Sequence, residues 1–129
     1  MNDEERRERG MKIRREVLGD EHVDRATANR TPFTEDFQEF ITRYAWDAVW
    51  NRPGLERKTR SMLVVAMMAA LGRLEELRLH VRASVNTGVT RAEVKEILLQ
   101  VAVYAGVPAA NTAYHIAADV YKQLDEEAR

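Results

Sequence analysis

The chain has 129 residues, of which 20 are basic and 21 acidic, so its formal net charge is −1. This length suits one domain, and we expect a single domain across residues 1–129. The balanced charge provides no basic surface for nucleic acid or for an anionic membrane. The absence of cysteine excludes disulfides, thiolate metal sites and thiol nucleophiles.

The start of the chain is charged rather than apolar, and it reads MNDEERRERG. This composition excludes a secretory signal, which needs an apolar segment. The longest apolar run, residues 62–71, is about half as long as the ~20 residues that a membrane helix requires. We therefore expect a cytoplasmic protein that binds neither membranes nor nucleic acid.

Apolar residues recur at helical spacing along nearly the whole chain, and no segment shows the alternation of a β-strand. The pattern predicts an all-α fold, a compact bundle of about six helices. The first helix spans residues 3–18 and ends at Gly19, and residues 19–32 form a polar connection. The next helix begins at Thr34, a residue type that favours helix N-termini.

The helix after Thr34 has two apolar faces. Trp46 and Trp50 lie one turn apart on the smaller face, which suggests a pocket wall or a subunit contact. Pro53 and Gly54 end the helix. The larger face consists of Phe37, Phe40, Ile41, Tyr44, Ala45, Ala48 and Val49.

Residues 62–71 contain no polar side chain, so they predict the central buried helix, which ends at Gly72. Another helix follows over residues 73–86, and Gly88 is a candidate for the residue that closes it, because glycine adopts the left-handed backbone conformation found there.

Thr90 and Glu93 fit a capping box, in which each side chain accepts a hydrogen bond from the other's backbone N–H. Pro108 suits the first turn of the last helix, which is rich in alanine. The helix between the capping box and Pro108 has an apolar core face, which consists of Val94, Ile97, Leu98, Val101 and Ala105.

His80 is one of three histidines in the chain, and Glu76 lies one helical turn before it. At about 100° per residue, the two side chains share one side of a helix. The carboxylate favours the protonated imidazole, and such a pair suits general acid–base catalysis near neutral pH. The same spacing also fits a solvated surface pair with no catalytic role. The residues alone leave both interpretations open.

Two arginines close to this pair are candidates for binding a carboxylate. Arg60 immediately precedes the apolar helix, and Arg82 follows His80 by two residues. A guanidinium group binds both oxygens of a carboxylate, although both positions also fit an ordinary helix-end charge or salt bridge.

Glu96, Gln100 and Tyr104 form a polar line at helical spacing, which is either a wetted helix edge or the second wall of a pocket. The histidines, His22, His80 and His115, are scattered without the spacing of a metal site, so we expect no metal. No glycine-rich phosphate loop or nucleophile elbow occurs either.

Long ordered blocks of the chain resemble the carboxymuconolactone decarboxylase family. They are LGDEHVDRA, TPFTEDFQEFITRYAWDAVWNRPGLERKTRS and AMMAALGRLEELRLHVRASVNTGVTRAEVKEILLQVAVYAGVPAANTAY. The wider superfamily contains alkylhydroperoxidase-D-like enzymes with a Cys-x-x-Cys-x-x-x-His helix. The matching stretch here is RLEELRLH, which has Arg73 and Glu76 in the thiol positions and His80 in the histidine position. Asp47 and His115 depart from the family's pattern.

The resemblance implies cofactor-free decarboxylation of 4-carboxymuconolactone to 3-oxoadipate enol-lactone and CO₂, in protocatechuate catabolism, with no peroxidase activity. It implies that His80 delivers a proton or binds the enolate oxygen, and that Glu76 or Glu96 orients it. The substrate-binding residues that we expect are Arg60, Arg82, Arg73, Tyr104 and Trp46.

The resemblance also implies a homo-oligomer, typically a hexamer, and the large apolar content, 45% of residues, favours assembly as well. Two other functions remain open. The first is a cofactor-free enzyme of the same fold that acts on another lactone or cyclic acid, and the second is a helical oligomer without catalytic activity.

Overall fold

Helices make up all of the secondary structure in the computed structural model, which describes residues 1–129. The all-α prediction is confirmed, and the helices are α1 (Asp3–Leu18), α2 (Asp20–Ala28), α3 (Glu35–Ile41), a π-helix (Thr42–Val49), α4 (Arg57–Leu71), α5 (Leu74–Asn86), α6 (Arg91–Tyr104) and α7 (Val107–Glu127). The chain divides into two units of dense internal contact, residues 1–56 and residues 57–129. That both belong to a single domain remains a prediction.

Helix α2 corrects the expectation of a polar connection over residues 19–32 and raises the number of α-helices to seven. Gly19 ends α1 with a φ of 91° and immediately precedes α2. Acidic residues in the first turn of α2 favour a helix start. Val23 is the only buried side chain of this helix, so the sequence carries too few apolar residues there to show a helical period.

Helix α3 starts after Thr34 as expected, but the Thr34 hydroxyl does not cap it. The hydroxyl oxygen instead accepts a hydrogen bond from the backbone N–H of Thr31 at 3.0 Å. Beyond Ile41 the helix widens into the π-helix, whose end is marked by a bond from the Trp50 N–H to the Ala45 carbonyl at 3.0 Å. That bond spans five residues, as π-helical bonds do.

The π-helix packs against α1 through Gly10. A Cβ atom placed on Gly10 would lie 2.0 Å from the carbonyl oxygen of Thr42 and 3.3 Å from the backbone nitrogen of Asp47. No side chain fits in that gap, so glycine is what allows the two backbones to approach so closely.

This packing buries the tryptophan face of the π-helix and leaves the larger apolar face in the open. Trp46 is buried and its ring stacks on Trp50 with centroids 5.1 Å apart. The exposed side carries an aromatic stripe whose members are each more than half exposed, namely Phe33, Phe37, Phe40 and Tyr44. The rings of Phe40 and Tyr44 stack at 5.2 Å.

Helix α4 lies in the second unit and is buried on one side only, which corrects the expectation of a helix buried all round. Ser61, Val65 and Ala69 face the core, whereas Leu63 and Met67 are 42% and 51% exposed. An uninterrupted apolar run indicates that both faces of the helix avoid water. It does not show whether the surface that covers each face belongs to the same chain.

In the second unit, α5 ends and α6 begins at the residues that the sequence predicted. Gly88 has a φ of 86°, and the N–H groups of Gly88 and Val89 donate to the carbonyls of Val85 and Ser84. These two bonds form a Schellman motif. The predicted capping box is confirmed, since the Thr90 N–H donates to the Glu93 carboxylate at 2.9 Å and the Glu93 N–H donates to the Thr90 hydroxyl at 3.1 Å.

Helices α6 and α7 complete the core of the second unit. Val94, Leu98 and Val101 are buried as predicted, whereas Ala105 is exposed. Pro108 lies in the first turn of α7 as expected. The inner side of α7 consists of Ala110, Ala113, Ala117 and Val120, and these small side chains allow its neighbours to pack closely.

Three ion pairs join the outer side of α7 to the neighbouring helices. Arg78 and Arg82 of α5 pair with Asp119 and Glu127, and Arg91 at the start of α6 pairs with Asp125. All six side chains are more than a third exposed.

The Gly10 contact predicts a large loss of stability in the Gly10→Ala variant. The added methyl group forces α1 away from the π-helix, and we expect a loss of about 3 kcal/mol or more in the free energy of unfolding, measured with urea. Gly54→Ala is the matched control, because no atom lies within 4 Å of its Cβ position. Equal stability of the two variants would contradict the close approach.

Candidate functional site

Helix α5 places His80 at the border of its buried face. Leu77 and Val81, three residues before it and one after it, are fully buried, and His80 is half-buried. The side chain therefore has one side against protein and another that can reach a ligand. Glu76 is exposed in the first turn of α5, where a carboxylate also stabilises the helix N-terminus.

The predicted arginines occupy three different environments. Arg60 is half-buried in α4, and Arg73 is exposed directly before α5. Arg82 donates to both carboxylate oxygens of Glu127, at 3.1 and 2.6 Å. These hydrogen bonds lower the pKa of Glu127. Arg82 therefore binds the Glu127 carboxylate in the bidentate geometry that a carboxylate ligand would use.

An apolar cavity of about 630 Å³ lies between α4 and α6. Tyr104, which is 82% exposed, and Gln100 contribute polar groups to its wall. Glu96 is exposed and does not line it. The remaining lining residues are mostly aliphatic and thioether side chains: Thr59, Met62, Leu63, Ala66, Met67, Ala70, Ile97, Val101 and Ala105.

The cavity brings only one of the predicted site residues to its wall. Tyr104 lines it, whereas neither His80 nor any of the three candidate arginines does. Trp46 belongs to the first unit, where it is buried. The assembly of the predicted residues into one site therefore remains a prediction.

Asp47, which departs from the family's pattern, is buried with its charge compensated. Its carboxylate pairs with the Arg9 Nε at 3.1 Å and accepts a hydrogen bond from Asn51 at 3.3 Å. Contacts within the first unit therefore compensate the buried negative charge of Asp47.

Sequence reasoning missed a polar cluster in the core of the second unit, one helical turn after His80. The Thr87 hydroxyl donates to the Ser61 hydroxyl at 2.7 Å, and the buried Ser84 hydroxyl donates to the Val81 carbonyl at 2.6 Å. Burial raises the pKa of the neighbouring Tyr121, although Arg91 and Ser84 oppose this. Serines on otherwise apolar helix faces were the signal that could have revealed the cluster.

The remaining histidines lie apart from these groups. His22 is half-buried on α2, and His115 is exposed on α7. No group of three or more histidine, aspartate or glutamate side chains is arranged to hold a metal ion. No helix combines the length and apolar character needed to cross a bilayer.

Comparison with known proteins gives the family. The family model described as "Carboxymuconolactone decarboxylase family" matches residues 35–119. The chain is also 52% identical, over 124 residues, to the 4-carboxymuconolactone decarboxylase of Acinetobacter baylyi, covering 96% of this chain and 92% of that protein. The chain belongs to the carboxymuconolactone decarboxylase family.

Two further relatives are decarboxylases by name. The nitrosuccinic acid decarboxylase of Metarhizium robertsii is 48% identical over 99 residues, which are 77% of this chain and 69% of that protein. A 4-carboxymuconolactone decarboxylase of Pseudomonas putida is 49% identical over 45 residues, which are 35% of this chain and 94% of that sequence. The resemblance inferred from the sequence blocks is thereby confirmed, and every predicted site residue lies within the matched range 35–119.

Proposed function

We propose that the protein decarboxylates 4-carboxymuconolactone to 3-oxoadipate enol-lactone and CO₂ in the breakdown of protocatechuate. The observation that carries this proposal is the 52% identity to the Acinetobacter baylyi enzyme along 96% of the chain. An alignment of this extent spans both units and the positions of all of the candidate residues, rather than one short motif.

The substrate itself supplies the means of losing CO₂. Its ring carbon bears a carboxylate, and the electrons left when the C–C bond breaks spread through the ring double bond to the lactone carbonyl. A proton then adds to the carbon next to that carbonyl. Because the ring accepts the electrons, the reaction requires no organic cofactor or metal ion. The protein has to bind the anionic groups, stabilise the enolate oxygen and deliver one proton.

His80 is the residue that we propose for the proton step. His80 is half-buried on α5, and histidine side chains serve as proton donors and can also hydrogen-bond an enolate oxygen. Glu76, in the same helix, or Glu96, on α6, is proposed to orient it. Glu76 has the simpler geometry, because it precedes His80 by one turn.

Arg60, Arg82 and Arg73 are proposed to bind the substrate carboxylates. Arg82 already binds the Glu127 carboxylate, so we propose that the substrate displaces Glu127. An exposed ion pair of this kind contributes little to stability, so its exchange for a ligand costs little.

Tyr104 and Trp46 are proposed to form the walls around the ring. Tyr104 presents a hydroxyl at the edge of the apolar cavity, where it can donate to the lactone oxygen. Trp46 is proposed to shield the departing carboxylate from water, since a poorly solvated carboxylate is lost more readily.

We further propose that the active protein is a homohexamer in the cytoplasm, and that assembly completes the pocket. The aromatic stripe of Phe33, Phe37, Phe40 and Tyr44, together with the exposed side of α4, leaves much apolar surface in water in the single chain. Surfaces of this kind commonly mark protein contacts.

A second candidate is decarboxylation of a different carboxylic acid on the same scaffold. The 48% identity to a nitrosuccinic acid decarboxylase favours it, and the two candidates differ in the substrate that is turned over.

The His80 assignment predicts a loss of activity of about 10²–10⁴-fold in kcat for the folded His80→Gln variant. The measurement is the change in ultraviolet absorbance as the enzyme converts freshly generated 4-carboxymuconolactone. EDTA is present throughout, and we expect the wild type to stay active in it. His115→Gln is the control, because His115 is exposed on α7, and it should keep normal turnover.

Normal turnover by the folded His80→Gln variant would remove His80 from the mechanism. A folded wild type that is inactive on the lactone but converts nitrosuccinate would replace the proposed substrate with the second candidate.

Exchange of Glu127 for substrate predicts opposite effects of two substitutions in one ion pair. Arg82→Met should raise KM at least about tenfold with a smaller change in kcat, because it removes a binding contact. Glu127→Gln should leave KM unchanged or lower it, since it releases Arg82. Equal increases of KM in both variants would show that the pair serves structure rather than binding.

Assembly through the aromatic stripe predicts a sedimentation mass near six times the 14.8 kDa of the chain. Phe40→Asp should lower this mass, because a buried carboxylate is costly in an apolar interface. The control is Thr27→Asp on the exposed side of α2. A monomeric wild type would refute the hexamer, and an unchanged mass in Phe40→Asp would exclude this stripe from the interface.

A further inference from the structure

Two arginines of the first unit have buried guanidinium nitrogens without a hydrogen-bond partner. Arg14 of α1 is only 5% exposed, and the side chain of Arg30, which follows α2, is 10% exposed. A buried charge is costly unless hydrogen bonds and opposite charges satisfy it.

The hydrogen-bond donors of the two groups are only partly satisfied. Arg14 donates from Nη2 to the neutral amide oxygen of Gln38 at 3.1 Å, and its buried Nε has no partner. Arg30 uses Nη1 for Glu39 at 2.8 Å and for Glu35 at 3.5 Å. Its Nε and Nη2 are buried without a partner. Buried donors in such a state are rare in folded proteins.

The partly buried carboxylate of Glu39, which Arg30 binds, is already shared with other arginines. Glu39 binds the Nε of Arg7 at 3.1 and 2.9 Å and also accepts from Arg30 and Arg43. Burial raises the pKa of Glu39, but the hydrogen bonds from Arg30 and Arg7 outweigh it and lower the pKa below its usual value. One ionised carboxylate therefore serves three guanidinium groups, and none of its oxygens is bonded to Arg14.

Burial and nearby positive charge act together on the pKa values of neighbouring groups. Burial and the charge of Arg30 lower the pKa of Arg14. On α2, burial, Arg14 and Arg25 lower the pKa of His22. Both shifts disfavour a positive charge on these groups, and an anion beside Arg14 would oppose the part of each shift that comes from neighbouring positive charge.

We propose that Arg14 and Arg30 form a binding site for a carboxylate, separate from the residues proposed for decarboxylation. A carboxylate matches the fork of a guanidinium group and accepts several N–H bonds at once. Its source is either a small carboxylic acid or an acidic side chain of a second copy of this chain. The inference does not depend on which acid the protein decarboxylates.

The experiment is a titration of the whole protein with succinate, with sodium chloride adjusted to keep the ionic strength constant. The readout is the pKa of His22, followed by NMR of its ring protons. A carboxylate beside Arg14 offsets the charge that depresses this pKa, so we expect succinate to raise it in a saturable manner. Thermal unfolding should shift upward over the same concentration range.

Substitutions separate binding from folding. Arg14→Met and Arg30→Met should each weaken the succinate response by about tenfold or more. Without succinate, Arg14→Met should unfold no more readily than the wild type, because it removes a poorly compensated buried charge. Arg25→Met is the control. Arg25 is largely exposed and paired with Glu21, so this variant should raise the starting pKa of His22 and keep the succinate response.

Protein concentration distinguishes the two sources. A response independent of protein concentration identifies a small acid as the ligand. A His22 pKa that rises with protein concentration in the absence of succinate, and an assembly that Arg14→Met weakens, identify a carboxylate of a second copy. The proposal is overturned if chloride reproduces the effect of succinate, if Arg14→Met and Arg30→Met respond like the wild type, or if His22 changes with neither succinate nor protein concentration.

Discussion

The contact between Gly10 and the π-helix determines what the first unit buries and what it exposes. Because the backbone of α1 lies against the carbonyl of Thr42, the side of the π-helix that carries Trp46 faces inward. The aromatic stripe then faces outward. The absence of a side chain at Gly10 thus allows the π-helix to bury Trp46 and leaves the aromatic stripe exposed.

The second unit obtains its stability from a different source. Leu77, Val81, Leu98 and Val120, drawn from three helices, are fully buried, and apolar contact between helices supports the fold. Polar groups enter this core mainly where Ser61, Ser84 and Thr87 meet. The first unit, with its shared Glu39 carboxylate and its buried arginines, depends far more on ionic contacts. The two units therefore rely on different interactions, ionic contacts in the first and apolar packing in the second.

Local sequence signals predicted helix ends well, because their causes lie within a few residues. Gly88, the Thr90–Glu93 box and Pro108 all act where expected. The π-helix was not predictable, because its widened turn depends on packing against Gly10, more than thirty residues earlier. The prediction that α4 is buried on all sides was wrong for a similar reason, since apolar composition does not show which surface covers a helix.

The candidate site was predictable only as a set of residue types on single helices. Spacing places Glu76 one turn before His80, but it cannot tell how far either lies from Tyr104 on α6. The resemblance in long blocks supplied the chemistry instead, and the family match confirmed it at that level. The buried arginines of the first unit escaped notice because arginine is normally a surface residue.

The ion pairs along the outer side of α7 give this helix two unequal attachments. Its inner side is fixed by small apolar residues, which dissolved salt hardly affects. Its outer side is held to α5 and α6 by charges in contact with water, and mobile ions screen such charges over about 10 Å at moderate concentrations. As salinity rises, the last turns of α7, where Asp125 and Glu127 lie, fray before the remainder of the helix, and Arg82 is released with them.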